Sequence, residues 1–207
     1  MDNYYNNKYY TLDKIPKHRI DYIEKRVKLF IEDFKLTRWP LNCVELILEI
    51  ENNQTLPIQI KSINNLSNNF DAATVYSKEN NCFLIIVNRN KIHYPFKISK
   101  HRRLNFTLAH ELGHIYLRHH ELPENCKTKK DLYIEELEAD EFAGKILMPK
   151  NKIFNSKFTS IKEMATYFNV SQSAVLKRLT NIKYSNLAYS TLKNIKINFY
   201  NNCFKIY

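Results

Sequence analysis

The 207-residue sequence predicts an α+β fold in which a small antiparallel sheet packs on a helix bundle, with a helical pair at the C-terminal end. Three observations predict this fold. Apolar residues recur at helical spacing in residues 17–36 and 100–118, three β-rich runs lie between these segments, and a capped pair of short helices follows residue 149. A hydrophobic content of 44% is enough to form a core in a chain of this length.

The first predicted element is an amphipathic helix over residues 17–36. Lys and Arg alternate there with apolar residues that recur every three or four positions: Ile20, Ile23, Val27, Phe30, Ile31 and Phe34. The helix ends near Trp39-Pro40, because a proline disfavours the helical conformation of the residue before it. We expect this helix to pack against the core through its apolar face.

Three β-rich runs follow and predict the strands. They are residues 44–50, 56–63 and 82–87, and Asn-rich turns such as Asn52-Asn53 and Asn80-Asn81 separate them. This succession of short runs and turns suggests a small antiparallel sheet. If residues 82–87 lie at the sheet edge beside the cleft, an extended peptide can pair with them.

A long helix is then predicted from about residue 100 to 118, and it carries the motif His110-Glu111-Leu112-Gly113-His114. Four residues make about one helical turn, so both imidazoles project from one face and can bind one metal ion. Glu111 lies beside that ion, where it can transfer a proton. The opposite face of the helix is apolar and consists of Leu104, Leu108, Leu112 and Ile115. This division into two faces favours a metal site over a structural role for the histidines.

A catalytic zinc ion needs a third protein ligand, and two residues compete for this role. His120 has the spacing of the third histidine in a longer zinc motif, but that motif has a glycine where this chain has Leu117. A continuing helix would carry His120 about 9 Å farther along the axis, away from the metal face. The second candidate is Glu136, because it shares a helical face with Asp140, which can hold an imidazole N–H, and with the small Ala143.

The other acidic residues of this second helix receive different assignments. Glu138 is the rival of Glu136, but it lies about 200° around the helix, so one helix cannot present both carboxylates to one ion. Glu135 and Glu141 are assigned to a solvated acidic face.

Three segments in order resemble the ImmA/IrrE family of metallopeptidases: residues 103–114 (RLNFTLAHELGH), residues 136–143 (ELEADEFA) and residues 146–149 (ILMP). The resemblance implies a zincin-like metallopeptidase domain with an N-terminal helix over residues 1–150. It also implies Zn²⁺, with Mn²⁺ as the alternative ion, held by His110, His114 and Glu136. Glu111 then acts as general base and acid on a zinc-bound water, and Asp140 fixes one ligand imidazole. A second donor to the oxyanion is not placed, and His93, His101 and His119 are assigned structural or surface roles.

Residues 151–207 predict a small helical C-terminal region. Ser160 and Glu163 form a capping box for one short helix, and Ser171 caps the next, which bears Val175. The tight turn between them resembles a helix-turn-helix, and the second helix is basic: Lys177, Arg178 and Lys183. We favour a helical hairpin that flanks the cleft over one that contacts DNA, because the family commonly carries such a pair.

Composition limits the setting and the partners. The net charge of +11 permits an acidic partner, but a Lys- and Asn-rich chain also places Lys on solvated faces. The four cysteines stand singly, which indicates a reducing, cytoplasmic setting. The N-terminus lacks a secretory signal, and no run approaches the roughly 20 apolar residues of a membrane span, so no membrane partner is expected. Two glycines in the whole chain exclude phosphate-binding glycine loops.

These observations predict a cytoplasmic zinc endopeptidase of narrow specificity. The family resemblance implies a protein substrate, a DNA-binding helix-turn-helix repressor, whose cleavage relieves repression under stress or on induction of a mobile element. The alternative is a non-proteolytic regulator that binds DNA or a repressor through the C-terminal helix pair.

Overall fold

The computed structural model describes residues 14–64, 71–89 and 98–184. The described α-helices are α1 (Lys17–Asp33), α2 (Cys43–Asn53), α3 (Ile98–Tyr116), α4 (Lys129–Leu147), α5 (Lys150–Asn155), α6 (Ile161–Tyr167) and α7 (Gln172–Tyr184). The strands are β1 (Ile58–Ile63), β2 (Ala72–Ser77) and β3 (Cys82–Asn88), and a short 3-10 helix covers Glu124–Cys126. The predicted α+β class is confirmed. The predictions for the N-terminal segment, for His93 and for residues 185–207 lie outside the described residues.

Helix α1 forms as its apolar spacing predicts, but it ends at Asp33, before the predicted end near Trp39-Pro40. Ile23, Val27 and Phe30 are buried, and Phe30 packs edge-on against Tyr116 of α3 and Phe142 of α4 with ring centroids 4.8 and 5.5 Å apart. The helix therefore packs against both α3 and α4.

None of the helices in the described ranges has the length and apolarity needed to span a membrane.

Residues 44–50 form most of helix α2, so their prediction as a strand is wrong. The Asn42 side chain accepts a hydrogen bond from the backbone N–H of Val44 and caps the helix. The buried residues of α2 recur at helical spacing: Cys43, Leu46, Ile47 and Ile50. A short apolar run fits a strand or a helix equally well by composition, and here the N-cap and the three-to-four-residue spacing favour the helix.

The sheet is mixed, so the prediction of a wholly antiparallel sheet is wrong. Its order is β1-β3-β2, with β3 parallel to β1 and antiparallel to β2. Residues 82–87 therefore belong to the central strand rather than to an edge, and both sides of β3 are already paired. The outer strand β2 gives a weak signal in the sequence because it begins with two alanines, Ala72 and Ala73.

The C-terminal helical pair forms as predicted, from two capped helices. The Ser160 hydroxyl accepts from the N–H of Glu163 at 3.1 Å, and the Ser171 hydroxyl accepts from the N–H of Ala174 at 3.1 Å. Asn169 adopts a left-handed backbone (φ 52) in the turn between the helices. Their apolar side chains belong to the same buried core as α3 and α4: Met164, Ala165, Phe168 and Val175. A domain boundary at residue 150 remains a prediction.

Helices α3 and α4 approach each other closely at Gly113. A Cβ atom at this position would lie 3.2 Å from the Cα and the carbonyl oxygen of Ala139 and 3.2 Å from Cδ1 of Phe142. Two of these neighbours are backbone atoms, which cannot rotate away. A side chain at residue 113 would therefore push α4, with its acidic residues, away from the histidines of α3.

We expect Gly113→Val to lower the free energy of unfolding by about 1–3 kcal/mol, the usual range for overpacking a core. Gly144→Ala is the matched control, because its Cβ would lie 3.4 Å from Cδ of Arg178, an ordinary contact with a side chain. Alanine also favours the helix over glycine, so Gly144→Ala should not destabilise the fold. Urea unfolding of the metal-free variants tests both expectations, and equal effects of the two substitutions would contradict the close contact at Gly113.

Candidate metal centre

Helix α3 places the two histidines of the motif on one face, one turn apart. Nε2 of His110 and Nε2 of His114 lie 3.0 Å apart, and neither ring is fully buried. The opposite face of α3 is anchored in the core by Leu108 and Leu112, which are 1% and 0% exposed. The predicted division of this helix into a core face and a histidine face is therefore present.

Glu136 of α4 completes a group of three metal-ligating side chains. Its Oε2 lies 3.3 Å from Nε2 of His110, and its Oε1 lies 3.5 Å from Nε2 of His114. The three ligand atoms all lie within 4.8 Å of one another. In a tetrahedral zinc site with bonds of about 2.0–2.1 Å, neighbouring ligand atoms are about 3.3 Å apart, so this donor set fits the ion.

Glu111 lies beside this group and is held by strand β2. Glu111 is 6% exposed, and its Oε2 accepts a hydrogen bond of 2.6 Å from the hydroxyl of Thr74. Burial raises the pKa of Glu111 above its usual range, although the bond from Thr74 acts in the opposite direction. Sequence reasoning missed Thr74 because it missed strand β2.

Asp140 contacts the imidazole of His110, as the sequence predicts for it. Its Oδ1 lies 2.9 Å from Nδ1 of His110, and its Oδ2 accepts a hydrogen bond of 2.6 Å from Nζ of Lys177 on α7. Burial opposes the charged carboxylate, but the bonds with His110 and Lys177 keep the pKa of Asp140 below its usual range. The C-terminal helix pair thus contributes a side chain to the surroundings of the site.

His119 lies behind His114, a position that the sequence prediction did not give it. Its Nδ1 is 2.9 Å from Nδ1 of His114, and its Nε2 is 3.0 Å from Oε2 of Glu138. After α3 the backbone of Arg118 is left-handed (φ 61), and the N–H of His119 donates to the carbonyl of His114 at 3.0 Å. The sequence predicts a helix to about residue 118 and predicts neither this turn nor the contact between His119 and His114.

The remaining candidates lie away from the donor atoms or have other partners. His120 packs against the Phe83 ring with centroids 4.4 Å apart, which agrees with its rejection as a ligand. Glu138 pairs with Arg19 and His119 rather than with the site. The solvated face assigned to Glu141 is wrong, because Glu141 is 2% exposed and binds Arg178, Lys145 and Asn181.

The two histidines of the group differ in their affinity for protons. Burial lowers the pKa of His110, but its bonds with Asp140 and Glu136 outweigh this and raise the pKa to about 10. Burial lowers the pKa of His114 to about 3, and the positive charge of the neighbouring His110 ring acts in the same direction. At neutral pH and without a metal, the positive charge of the pair therefore lies on His110, and His114 is neutral.

Comparison with known proteins identifies a matching domain family and a similar fold. Residues 97–180 match the family model described as the IrrE N-terminal-like domain (Peptidase_M78). A solved structure of a Mycobacterium tuberculosis transcriptional regulator is similar in fold, with a TM-score of 0.51 and 15% sequence identity. That match covers 87% of this chain and 49% of the regulator chain, so the protein spans about half the length of that structure. No curated protein sequence matches the chain.

Proposed function

We propose that this protein is a zinc-dependent endopeptidase, and the match of residues 97–180 to the IrrE N-terminal-like domain supports the proposal. One observation carries the proposal: His110, His114 and Glu136 present three ligand atoms at the separations that zinc requires, with the Glu111 carboxylate beside them. Three protein ligands leave one coordination position for water, as in catalytic rather than structural zinc sites.

The side chains of the site divide the work of peptide hydrolysis. Zinc, when bound, supplies a water of lowered pKa and polarises the peptide carbonyl. Glu111 accepts the proton of the attacking water and delivers it to the leaving nitrogen. Thr74 fixes one oxygen of Glu111, which leaves the other for proton transfer. Asp140 accepts from the imidazole N–H of His110 and so holds that ligand in orientation.

We propose a DNA-binding helix-turn-helix repressor as the substrate and a cytoplasmic setting for its cleavage. The family resemblance supports this substrate class, and relief of repression under stress or on induction of a mobile element is the proposed outcome. The similar Mycobacterium tuberculosis protein is described as a transcriptional regulator, which fits a role in regulation. We place the bound peptide along β2, because Thr74 of this strand contacts Glu111.

The alternative function, DNA binding by the C-terminal helix pair, has less support from the geometry. Lys177 binds Asp140, and Arg178 is 6% exposed and binds Glu141. Two of the three basic side chains that favoured this alternative are thus paired with acidic residues of α4, and DNA phosphates would have to compete with these carboxylates.

Metal analysis tests the ligand set directly. We expect the purified protein to bind one zinc ion, or manganese as the alternative, and both His114→Ala and Glu136→Ala to lower the occupancy strongly, because each removes one of three ligands. His120→Ala serves as the control, because this histidine contacts Phe83 instead of the donor atoms. Mass spectrometry of the metal content provides the measurement. Full occupancy in the His114 variant would contradict the proposed site.

Zinc binding should also release a proton. The pKa of His110 is raised to about 10 without metal, so its ring is charged at pH 7.5 and must lose its proton to bind the ion. We expect about one proton per zinc and an affinity that falls as the pH is lowered. Calorimetric titrations in buffers of different ionisation enthalpy measure the number released. Binding without proton release would contradict the charged state of His110.

A cleavage assay tests the function as a whole. The zinc-loaded protein is incubated with a helix-turn-helix repressor, first the product of the neighbouring gene, and the products are identified by mass spectrometry. We expect one or a few defined cuts that disappear when a chelator removes zinc. Intact repressor with fully zinc-loaded protein would contradict this substrate, and a cut that survives chelation would contradict zinc catalysis.

A further inference from the structure

We propose that His119 is a positioning residue that holds the metal-binding ring of His114 and is itself fixed by Glu138 and Arg19. The inference rests on the proposed function, because it takes His114 to be a metal ligand. It extends the site across the interior of the protein to the N-terminal helix. None of the three residues would touch the metal or the substrate.

The contacts form an unbroken series of hydrogen bonds from His114 to Arg19. Nδ1 of His114 lies 2.9 Å from Nδ1 of His119, and Nε2 of His119 lies 3.0 Å from Oε2 of Glu138. Arg19 donates to both oxygens of Glu138, from Nε at 2.7 Å and from Nη2 at 2.5 Å. The His119 and Glu138 side chains are 5% and 1% exposed, so water competes little for these bonds.

The series permits one arrangement of protons when His114 binds a metal. The ligand atom of His114 is Nε2, which faces His110 and Glu136, so its Nδ1 carries the proton and donates to Nδ1 of His119. His119 must then carry its proton on Nε2 and donate it to Glu138, which has no proton to offer. Arg19 completes the series, because a guanidinium can only donate.

This arrangement makes His119 the hydrogen-bond acceptor for His114, a role that its burial alone does not explain. A metal-binding histidine is oriented, and made a better donor to the ion, by the acceptor at its other nitrogen. His110 has a carboxylate, Asp140, in this place, whereas His114 has a neutral imidazole backed by the carboxylate of Glu138. Removing the acceptor at His119 should therefore weaken metal binding through His114 without removing a ligand.

The test compares two side chains of similar shape at position 119. In His119→Asn the amide oxygen can take the place of Nδ1 and accept from His114, whereas His119→Leu offers no acceptor. Zinc dissociation constants are measured on the full chain by competition with a chromophoric chelator. We expect His119→Leu to weaken zinc binding about 10- to 100-fold and His119→Asn to recover a large part of that loss. His120→Leu is the control and should leave the dissociation constant unchanged.

The outcomes separate this inference from the proposed function. If the unaltered protein binds no zinc, the proposed function fails and this inference falls with it. If it binds zinc, equal dissociation constants for His119→Leu and His119→Asn overturn the inference alone. If His119→Leu does not fold, the position of the ring proton of His119 in the unaltered protein tests the inference instead. Nitrogen NMR of the zinc-loaded unaltered protein should show the His119 proton on Nε2, and a proton on Nδ1 overturns the inference.

Discussion

Glu111→Gln is expected to lower kcat/KM for repressor cleavage by about 10²- to 10⁴-fold while the protein keeps its zinc. The amide has nearly the shape of the carboxylate and can still accept from Thr74, but it cannot take a proton from the attacking water. Because Glu111 is not one of the three ligands, metal content and unfolding should change little. Cleavage rates and zinc content measured on the same preparation test the expectation.

Glu121→Gln is the matched control for this substitution. It makes the same change of charge on an exposed residue that pairs with Arg118, and it should leave the cleavage rate unchanged. Undiminished cleavage by Glu111→Gln would show that the activity belongs to a contaminant or to another site. Loss of zinc from Glu111→Gln would instead place Glu111 among the ligands.

Arg178→Met is expected to lower the free energy of unfolding by about 3–5 kcal/mol, the cost of leaving one partner of a buried ion pair alone. Arg178 donates to Glu141 at 3.1 Å and to the carbonyl of Met148 at 3.1 Å, and both charged side chains are almost fully buried. Lys145 also contacts Glu141 and compensates in part, which places the effect at the lower end of the range. Urea unfolding measures it.

Two further variants show whether the ion pair is the cause. Lys162→Met removes an exposed charge from α6 and should change stability by less than about 0.5 kcal/mol. Adding Glu141→Leu to Arg178→Met removes both charges, and we expect the double variant to regain much of the loss. If Arg178→Met instead weakens salt-sensitive DNA binding at unchanged stability, the DNA-binding alternative gains and the buried ion pair is contradicted.

The central residues of the candidate site could be predicted because their pattern is local. The spacing of His110 and His114 follows from one helical turn, and Glu136 and Asp140 follow from a second helix of the same kind. The structure brings these four side chains together, although their roles as ligands and support remain proposals. Thr74 could not be found in this way, because it reaches Glu111 only through the order of strands in the sheet.

The errors in the fold have the same origin. Residues 44–50 are a short apolar run that fits a strand or a helix by composition, and its helical spacing becomes evident only from the residues that it buries in the core. The burial of Glu141 depends on Arg178, a residue 37 positions later in the chain, and no local sequence pattern identifies that partner. His119 depends on the left-handed turn at Arg118, a conformation that arginine seldom adopts. Local periodicity therefore predicts helices and strands, whereas contacts between residues far apart in the sequence determine which side chains surround them.

The contacts of Arg19 and Lys177 have a consequence for the order in which the protein matures. Arg19 reaches Glu138 across 119 positions of the chain, and Lys177 reaches Asp140 across 37. Contacts over such loops cost more entropy to close than local ones and form late in folding. A nascent chain that still lacks α7 can already form the helical turn with both histidines, but not the complete support of His110. We therefore expect tight metal binding, and with it the proposed cleavage of the repressor, to begin only after α7 has left the ribosome and packed against α4.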